Sequence, residues 1–288
     1  MVGSWKLTRF TRPFSRALAS GPHPAKLHRV KLTVTVITYN EADHIQHALE
    51  SVAWADEIIV VDSGSTDGTV ALARPLATQV IVRGWPGYSE QKNFAADSAT
   101  NDWVLSIDAD ERVTPELAAE IRTLLSRGPQ VRGYRVQRVS HYLGRWIRST
   151  DWFPDYQLRL YHRRAGRWNG LRIHESFRLS DGSPARLQGE LHHYAYRDIS
   201  HHLKKIDSYT TLLAEQYWEQ GRRTTVLKLA LHPWFAFLRN YVLRRGFTDG
   251  AAGFIISVLN AYYVFLKLAK LWELQRTQTT GGAGAARP

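Results

Sequence analysis

Residues 30–37 are β-branched and almost continuously apolar, the pattern of a strand covered on both faces of a parallel sheet. The polar stretch Thr38-Tyr39-Asn40-Glu41 ends that run. Residues 42–52 then place Ile45, Ala48, Leu49 and Val52 at spacings of three and four, which predicts a helix. The unit recurs. A second apolar run, 57–61, enters Asp62-Ser63-Gly64-Ser65-Thr66-Asp67-Gly68, and a third covers 79–82. Residues 90–98 read as a helix carrying Lys92 and Asn93, and a fourth run, 103–107, ends in Asp108-Ala109-Asp110-Glu111. Four strands alternating with helices predict an α/β fold. Its sheet is expected to be Rossmann-like and mostly parallel, with ligands gathered at the carboxyl ends of the strands. The polar clusters at 38–41, 62–64 and 108–110 all fall at such ends.

After a helix predicted over 114–125 the pattern changes. Residues 133–141 and 155–161 alternate polar and apolar, and 172–179 and 185–193 look like further strands, so a smaller, more antiparallel part is expected. Three helical stretches follow between 199 and 273. The Gly/Ala/Thr-rich end, 274–288, is expected to be disordered. The chain thus divides into a leader (1–31), an α/β domain (32–198, with halves 32–126 and 127–198), a helical extension (199–273) and a tail.

Charge sharpens this division. Residues 1–31 carry seven Lys/Arg and no acid, residues 32–219 carry 21 basic and 24 acidic side chains, and residues 220–272 carry eight basic ones against Asp249 alone. The net charge of +12 therefore belongs to the ends. A nucleic-acid partner calls for basicity across the folded domain, so none is expected. At both ends the basic residues are interleaved with aromatics, as in Trp5-Lys6-Leu7-Thr8-Arg9-Phe10 and Trp234-Phe235-Ala236-Phe237-Leu238-Arg239. That mixture suits an anionic membrane surface met by residues 1–31 and 220–272. Arg9, Arg12 and Arg16 break the apolar residues of the leader, which does not read as a signal peptide. The longest uncharged stretch, 250–266, is shorter than the roughly 20 apolar residues of a spanning helix, so an interfacial or core helix is expected. The absence of cysteine excludes disulfides and thiolate metal sites.

The candidate chemistry centres on 108–110. On extended backbone alternate side chains share a face, so Asp108 and Asp110 can present two carboxylates to one ligand. Two close carboxylates repel unless a cation sits between them. A hard ion such as Mg²⁺ or Mn²⁺, itself holding phosphate oxygens, is the expected counterpart. By the same alternation Gln157 and Arg159 share a face with Asp155 and are candidates for contact with a diphosphate or an acidic acceptor.

Taken in order, Val34-Thr35-Val36-Ile37-Thr38-Tyr39-Asn40-Glu41, Val60-Val61-Asp62-Ser63-Gly64-Ser65-Thr66-Asp67-Gly68-Thr69, Gln91-Lys92-Asn93-Phe94-Ala95 and Leu105-Ser106-Ile107-Asp108-Ala109-Asp110-Glu111 resemble the motifs of family 2 glycosyltransferases with the GT-A fold. Three later stretches resemble one branch of that family, bacterial transferases that add glucose to the heptose of the lipopolysaccharide inner core. They are Trp152-Phe153-Pro154-Asp155-Tyr156-Gln157-Leu158-Arg159-Leu160, Ile173-His174-Glu175 and the run from Tyr241 to Gly250. The resemblance covers roughly residues 32–273 and is weakest at Ser149-Thr150-Asp151, where smaller residues are expected.

The resemblance implies a UDP-sugar donor, a lipopolysaccharide-core or other lipid-linked acceptor, with a polyprenyl phosphate or other surface glycan as the alternative, and an enzyme at the cytoplasmic face of the bacterial inner membrane, peripheral or partly embedded. It also implies roles. Thr38, Asn40, Glu41, Asp62 and Gly64 would surround uracil and ribose, with Asp62 accepting the uracil N–H. Lys92 would approach the diphosphate, Asp108 the ribose or a metal-bound water, and Asp110 the metal. Glu111 is expected to be a bystander, and Asp67 a turn or capping residue. Inversion at the anomeric carbon needs a carboxylate within reach of the acceptor hydroxyl. Asp155 and Glu175 are the two candidates, and His174 is a candidate metal or acceptor contact. A nucleotidyltransferase would also use paired carboxylates and a metal, but its Gly-rich phosphate loop is not evident. A catalytically silent nucleotide-sugar-binding scaffold would need the donor half only, and Asp155 and Glu175 argue against it.

Overall fold

The computed structural model describes residues 29–169 and 175–283, with side chains described as far as residue 277. Most of the leader, His174 with Ile173, and the last five residues lie outside it. The first strands and helices are β1 (Leu32–Thr38), α1 (Ile45–Glu50), β2 (Glu57–Asp62), α2 (Thr69–Ala73), β3 (Gln79–Val82), α3 (Tyr88–Asp97) and β4 (Trp103–Asp108). Every residue of β1 and β2 is buried. The reason is a core on each face. Val34, Val36, Leu105 and Ile107 pack with Ile45, Leu49, Leu117 and Ile121, while Ile37, Ile59, Val61 and Val104 pack with Ala95 and Ala96. Continuous apolar runs are what a doubly covered parallel sheet requires.

The chain continues through β5 (Glu111–Val113), α4 (Pro115–Arg127), β6 (Gly133–Tyr142), β7 (Arg145–Trp146), β8 (Asp155–His162), β9 (Gly166–Trp168), β10 (Phe177–Leu179) and β11 (Ala185–His193). Strand order in the main sheet is β3-β2-β1-β4-β8-β6-β11-β5, with β7 beside β6 and with β9 and β10 paired separately. β1, β2, β3 and β4 run parallel. β8 is antiparallel to both its neighbours, and only the β6–β11 pair departs from the antiparallel character of this half. β2 and β3 lie on one side of β1 and β4 on the other, so the carboxyl ends of β1 and β4 form a topological switch point, where open α/β sheets bind ligands. The register sets Ile37 beside Asp108 and Thr38 beside Asp62.

Two irregularities shape the site. β4 and β8 pair only from Trp103 to Leu105, so they part before Asp108. On β8 the register against β6 jumps between Leu160 and Leu158, leaving Arg159 as the extra residue of a bulge. Bulges re-aim side chains, and here the guanidinium turns into the gap beside β4.

Three long helices complete the chain: α5 (Ile199–Glu219), α6 (Val226–Leu238) and α7 (Gly250–Ala283). α6 and α7 form an antiparallel hairpin. Phe237 and Tyr241 meet the ring of Phe254 at one end, and Gln275 bonds the backbone of Thr224 at the other. At the corner, a π turn (Arg239–Leu243) and a 3-10 turn (Gly246–Asp249) press so closely on α7 that a Cβ on Gly253 would stand 1.8 Å from the carbonyl oxygen of Gly246. The corner is bolted to the loop before β8. Asp151 accepts from Asn240 at 3.1 Å and Asn260 at 2.7 Å, and Asp249 accepts from the Arg148 N–H at 2.9 Å and the Ser149 hydroxyl at 2.6 Å. Thr150, where a smaller residue was expected, takes φ +64°, a left-handed conformation uncommon for a β-branched residue. The expected disordered tail is corrected in part, since α7 runs past Glu273 to Ala283: extending an existing helix adds a hydrogen bond per residue without a new nucleus.

Candidate active site

The switch point holds a chain of buried charges. Asp108, at the end of β4, pairs with Lys92 of α3 at 2.9 Å and with Arg159 at 2.8 Å. Lys92 is almost fully buried, bonds Glu175 at 3.1 Å, and lies 4.5 Å from the Trp168 ring. Arg159 also meets Glu111. Glu111 in turn accepts from Arg138 at 3.3 Å and from the Asp108 N–H at 2.9 Å. Arg138 closes the chain on Asp155 at 2.8 Å, whose other oxygen takes the Gln157 amide at 2.5 Å. Burial works against the charge on Asp108, but Arg159 and Lys92 outweigh it and hold its carboxyl far below the usual range.

Asp108, expected beside ribose or metal, has both oxygens on cations here, one on Lys92 and one on Arg159. Lys92, expected near diphosphate, is a buried strut between Asp108 and Glu175 and no solvated helix lysine. Arg159 pairs with Asp108 and Glu111 through Nη2 alone, and its buried Nε has no partner among the described residues, while the Gln157 amide is bonded to Asp155. Glu111 is no bystander: fully buried, it anchors two arginines. Asp62 is fully buried as well, and accepts from the N–H groups of Gly64 at 2.9 Å and Ser65 at 2.8 Å and from the Ser65 hydroxyl at 2.5 Å. It thereby shapes the loop at the end of β2, and Gly64, at φ +91°, supplies the turn this needs. Asn40, in left-handed backbone, accepts from the Thr66 N–H at 2.8 Å, and Asp67 binds the N–H groups of Ala42 and Thr69 as a turn residue. The Thr38 hydroxyl is buried at the end of β1 with no partner among the described residues. Orphaned buried polar atoms are rare without a ligand or water to satisfy them.

Asp110 stands apart from Asp108. Its carboxylate faces His193, the last residue of β11, at 3.5 Å, and the other ring nitrogen of His193 lies 3.2 Å from the Ser140 hydroxyl. Burial opposes its ionisation, yet His193 holds its pKa down at about 2. Across the cleft Glu41 is pushed up to about 7, first by burial and then by the charge of Asp110. Among the described residues no three His, Cys, Asp or Glu side chains form a ready-made metal cage. The Asp110 carboxylate would suit Mg²⁺ or Mn²⁺, and the His193 imidazole beside it would favour Mn²⁺ of the two. α5 forms the far wall. Tyr209 and Tyr88, hydrogen-bonded to each other and raised by burial, lie near Glu175 and Asp108, and Lys205 acts on both Glu41 and Asp110. His193 carried a sequence signal, since it ends a run read as a strand. Lys205 and Tyr209 carried none.

A parallel sheet whose switch point gathers carboxylates, roofed by an antiparallel half and a helix, defines an α/β enzyme acting on a ligand in that crevice. Residues 33–182 match the family model described as glycosyl transferase family 2, and the chain belongs to that family. It is 32% identical over 256 residues to the lipopolysaccharide core biosynthesis glycosyltransferase LpsC of Rhizobium meliloti, covering 85% of this chain and 93% of that one. It is 34% identical over 257 residues to an uncharacterized glycosyltransferase of Rickettsia prowazekii, covering 85% and 87%. Among solved structures, glucosyl-3-phosphoglycerate synthase from Mycobacterium tuberculosis with Mn²⁺, UDP and glucosyl-3-phosphoglycerate aligns over 39% of this chain and 44% of that one, at 23% identity and a TM-score of 0.34.

Proposed function

We propose that this glycosyltransferase moves glucose from UDP-glucose, with inversion, to a heptose of the lipopolysaccharide inner core. The observation that carries the reading is the pairing of Asp110 with His193 at the switch point of a chain similar along most of its length to a lipopolysaccharide core transferase. In this reading Asp110 and His193 would hold a divalent ion, whose charge would offset that developing on the leaving diphosphate. Thr38 meets the nucleoside. Glu175 takes the acceptor proton: one of its oxygens is bonded to Lys92 and the other has no partner among the described residues, whereas both oxygens of Asp155 are engaged. Tyr209 feels Glu175, Asp108 and Asp110 together, which supports a shared cleft for donor and base.

The membrane reading rests on the hairpin. Of α6 only Ala236 is buried; Leu227, Leu231, Phe235 and Trp234, the last at 70% exposure, face outward. The stretch Gly246–Thr277 is long and apolar enough to cross a bilayer. It is pinned along its side, however, by Asn260 to Asp151, Lys270 to Asp207 and Gln275 to Thr224. Polar anchors of this kind hold a helix against its domain, so the hairpin lies in the plane of the membrane surface.

The test is UDP release across a panel of UDP-sugars, with truncated lipopolysaccharide core as acceptor, with and without Mn²⁺. UDP-glucose with a heptose-terminated core gives the fastest turnover, and a faster rate with another sugar or a core lacking heptose rejects the donor or acceptor. Asp110→Asn lowers turnover by about 100-fold or more. Glu175→Gln loses about 100-fold or more while still binding UDP, and Asp155→Asn loses less; the reverse order returns the base to Asp155.

A further inference from the structure

We propose that the hollow at the corner of the α6–α7 hairpin binds the phosphate group of a membrane lipid. A cavity of about 630 Å³ opens there between Phe153 and Pro154 of the loop before β8 and Leu243, Arg244, Arg245 and Thr248 of the corner. Most basic side chains nearby are already neutralised. Arg148, on the same wall, grips Glu190 through two bonds of 2.6 and 2.7 Å, Arg145 pairs with Asp249 at 3.3 Å, and Arg239 reaches Asp151 at 3.6 Å. Arg244 and Arg245 are exposed, and no carboxylate among the described residues pairs with either. Two adjacent uncompensated guanidiniums in a concave setting match a phosphate, whose oxygens accept their forked N–H groups.

The backbone supports a built site. Arg245 sits at φ +57°, an uncommon conformation for arginine, fixed by its own N–H to the Val242 carbonyl and by Thr248, whose hydroxyl donates to the Arg245 carbonyl at 2.8 Å. Such outliers persist where the surroundings over-determine them, and they cluster at ligand clamps. The source of the phosphate follows from what stands beside it. Leu243, 71% exposed, Val242 and Phe247 project from the same corner and continue the outward apolar face of α6. A headgroup phosphate seats in the hollow while its chains follow that face. The lipid source rests on the membrane reading above; the phosphate chemistry does not.

Sedimentation of the full chain with vesicles of phosphatidylcholine alone, or mixed with phosphatidylglycerol, tests both. Arg244→Gln/Arg245→Asn removes the pair with a residue tolerated in left-handed backbone, and Thr248→Glu places a carboxylate in the hollow while keeping both arginine side chains, with loss of the hydroxyl bond to the Arg245 carbonyl. The control pair Arg222→Gln/Arg223→Gln removes the same charge elsewhere on the extension. Binding to anionic vesicles should weaken in the pocket pair by about tenfold more than in the control, because directed hydrogen bonds are lost as well as surface potential. Thr248→Glu should follow the pocket pair, and added glycerol phosphate should compete. Equal losses in pocket and control pairs overturn the proposal. Trp234→Ser/Phe235→Ser should weaken binding to both vesicles. If the wild type sediments with neither, the membrane reading fails, and titration with glycerol phosphate decides the pocket: binding lost in the double variant supports it, and no binding by the wild type overturns it.

Discussion

At the scale of single residues, the site is a set of decisions about which carboxylate meets which cation. Glu111 is the clearest. With no exposed surface and two arginines on it, Glu111→Gln takes one carboxylate from each, leaving Arg159 with Asp108 and Arg138 with Asp155, and should cost about 1–3 kcal/mol in urea unfolding. A cost no larger than that of Glu175→Gln would remove it as the anchor. Glu41 has the opposite character. Its pKa rises from the ordinary 4.5 to about 7, so between those values the folded chain keeps a proton that the unfolded chain has released. Stability therefore falls as pH rises through that window and levels off above it, by about 1–3 kcal/mol for this one group. In chelator, the stability of Glu41→Gln relative to wild type should grow from about pH 5 to about pH 8. Parallel curves would reject the assignment. Near neutrality Glu41 can then donate a hydrogen bond as well as accept one, an option closed to Asp110.

Between elements, the decisive contacts are those that sequence periodicity does not encode. The strands that hold the site were legible because a doubly covered sheet demands unbroken apolar runs, and the acids at their ends stood out against them. The alternation of 155–161 gave β8 but not its bulge at Arg159, which depends on how β6 and β4 pair with it. Asp108 and Asp110 looked equivalent on extended backbone. The turn after β4 sends one to Lys92 and the other to His193, 83 residues further along the chain in the second case. β5, β7 and β9 span three residues or fewer, too short for any periodicity. The hairpin corner turns on glycine. Gly253→Ala must drive α7 away from the Gly246 carbonyl, at an expected cost of about 1–3 kcal/mol in thermal unfolding. A variant as stable as the wild type would mean that α7 does not pack there.

For the whole molecule, the orientation of the hairpin is the property to measure, and the lack of cysteine makes it accessible. Thr248→Cys reports the start of α7, and Arg223→Cys reports its far end through the Thr224–Gln275 contact. In membrane vesicles both should react with an impermeant thiol reagent from the same side. Labelling from opposite sides would mean that α7 crosses the bilayer. The bolts at Asp151 and Asp249 then acquire a further meaning. They join the hairpin corner to the loop that leads into β8, with no flexible tether between them. On the proposed membrane reading, this would fix the height of the crevice above the lipid headgroups and make the enzyme a gauge. An acceptor would be glycosylated when its hydroxyl stands at that height, and a core sugar one or two residues nearer the bilayer would go unmodified however well it fits the cleft.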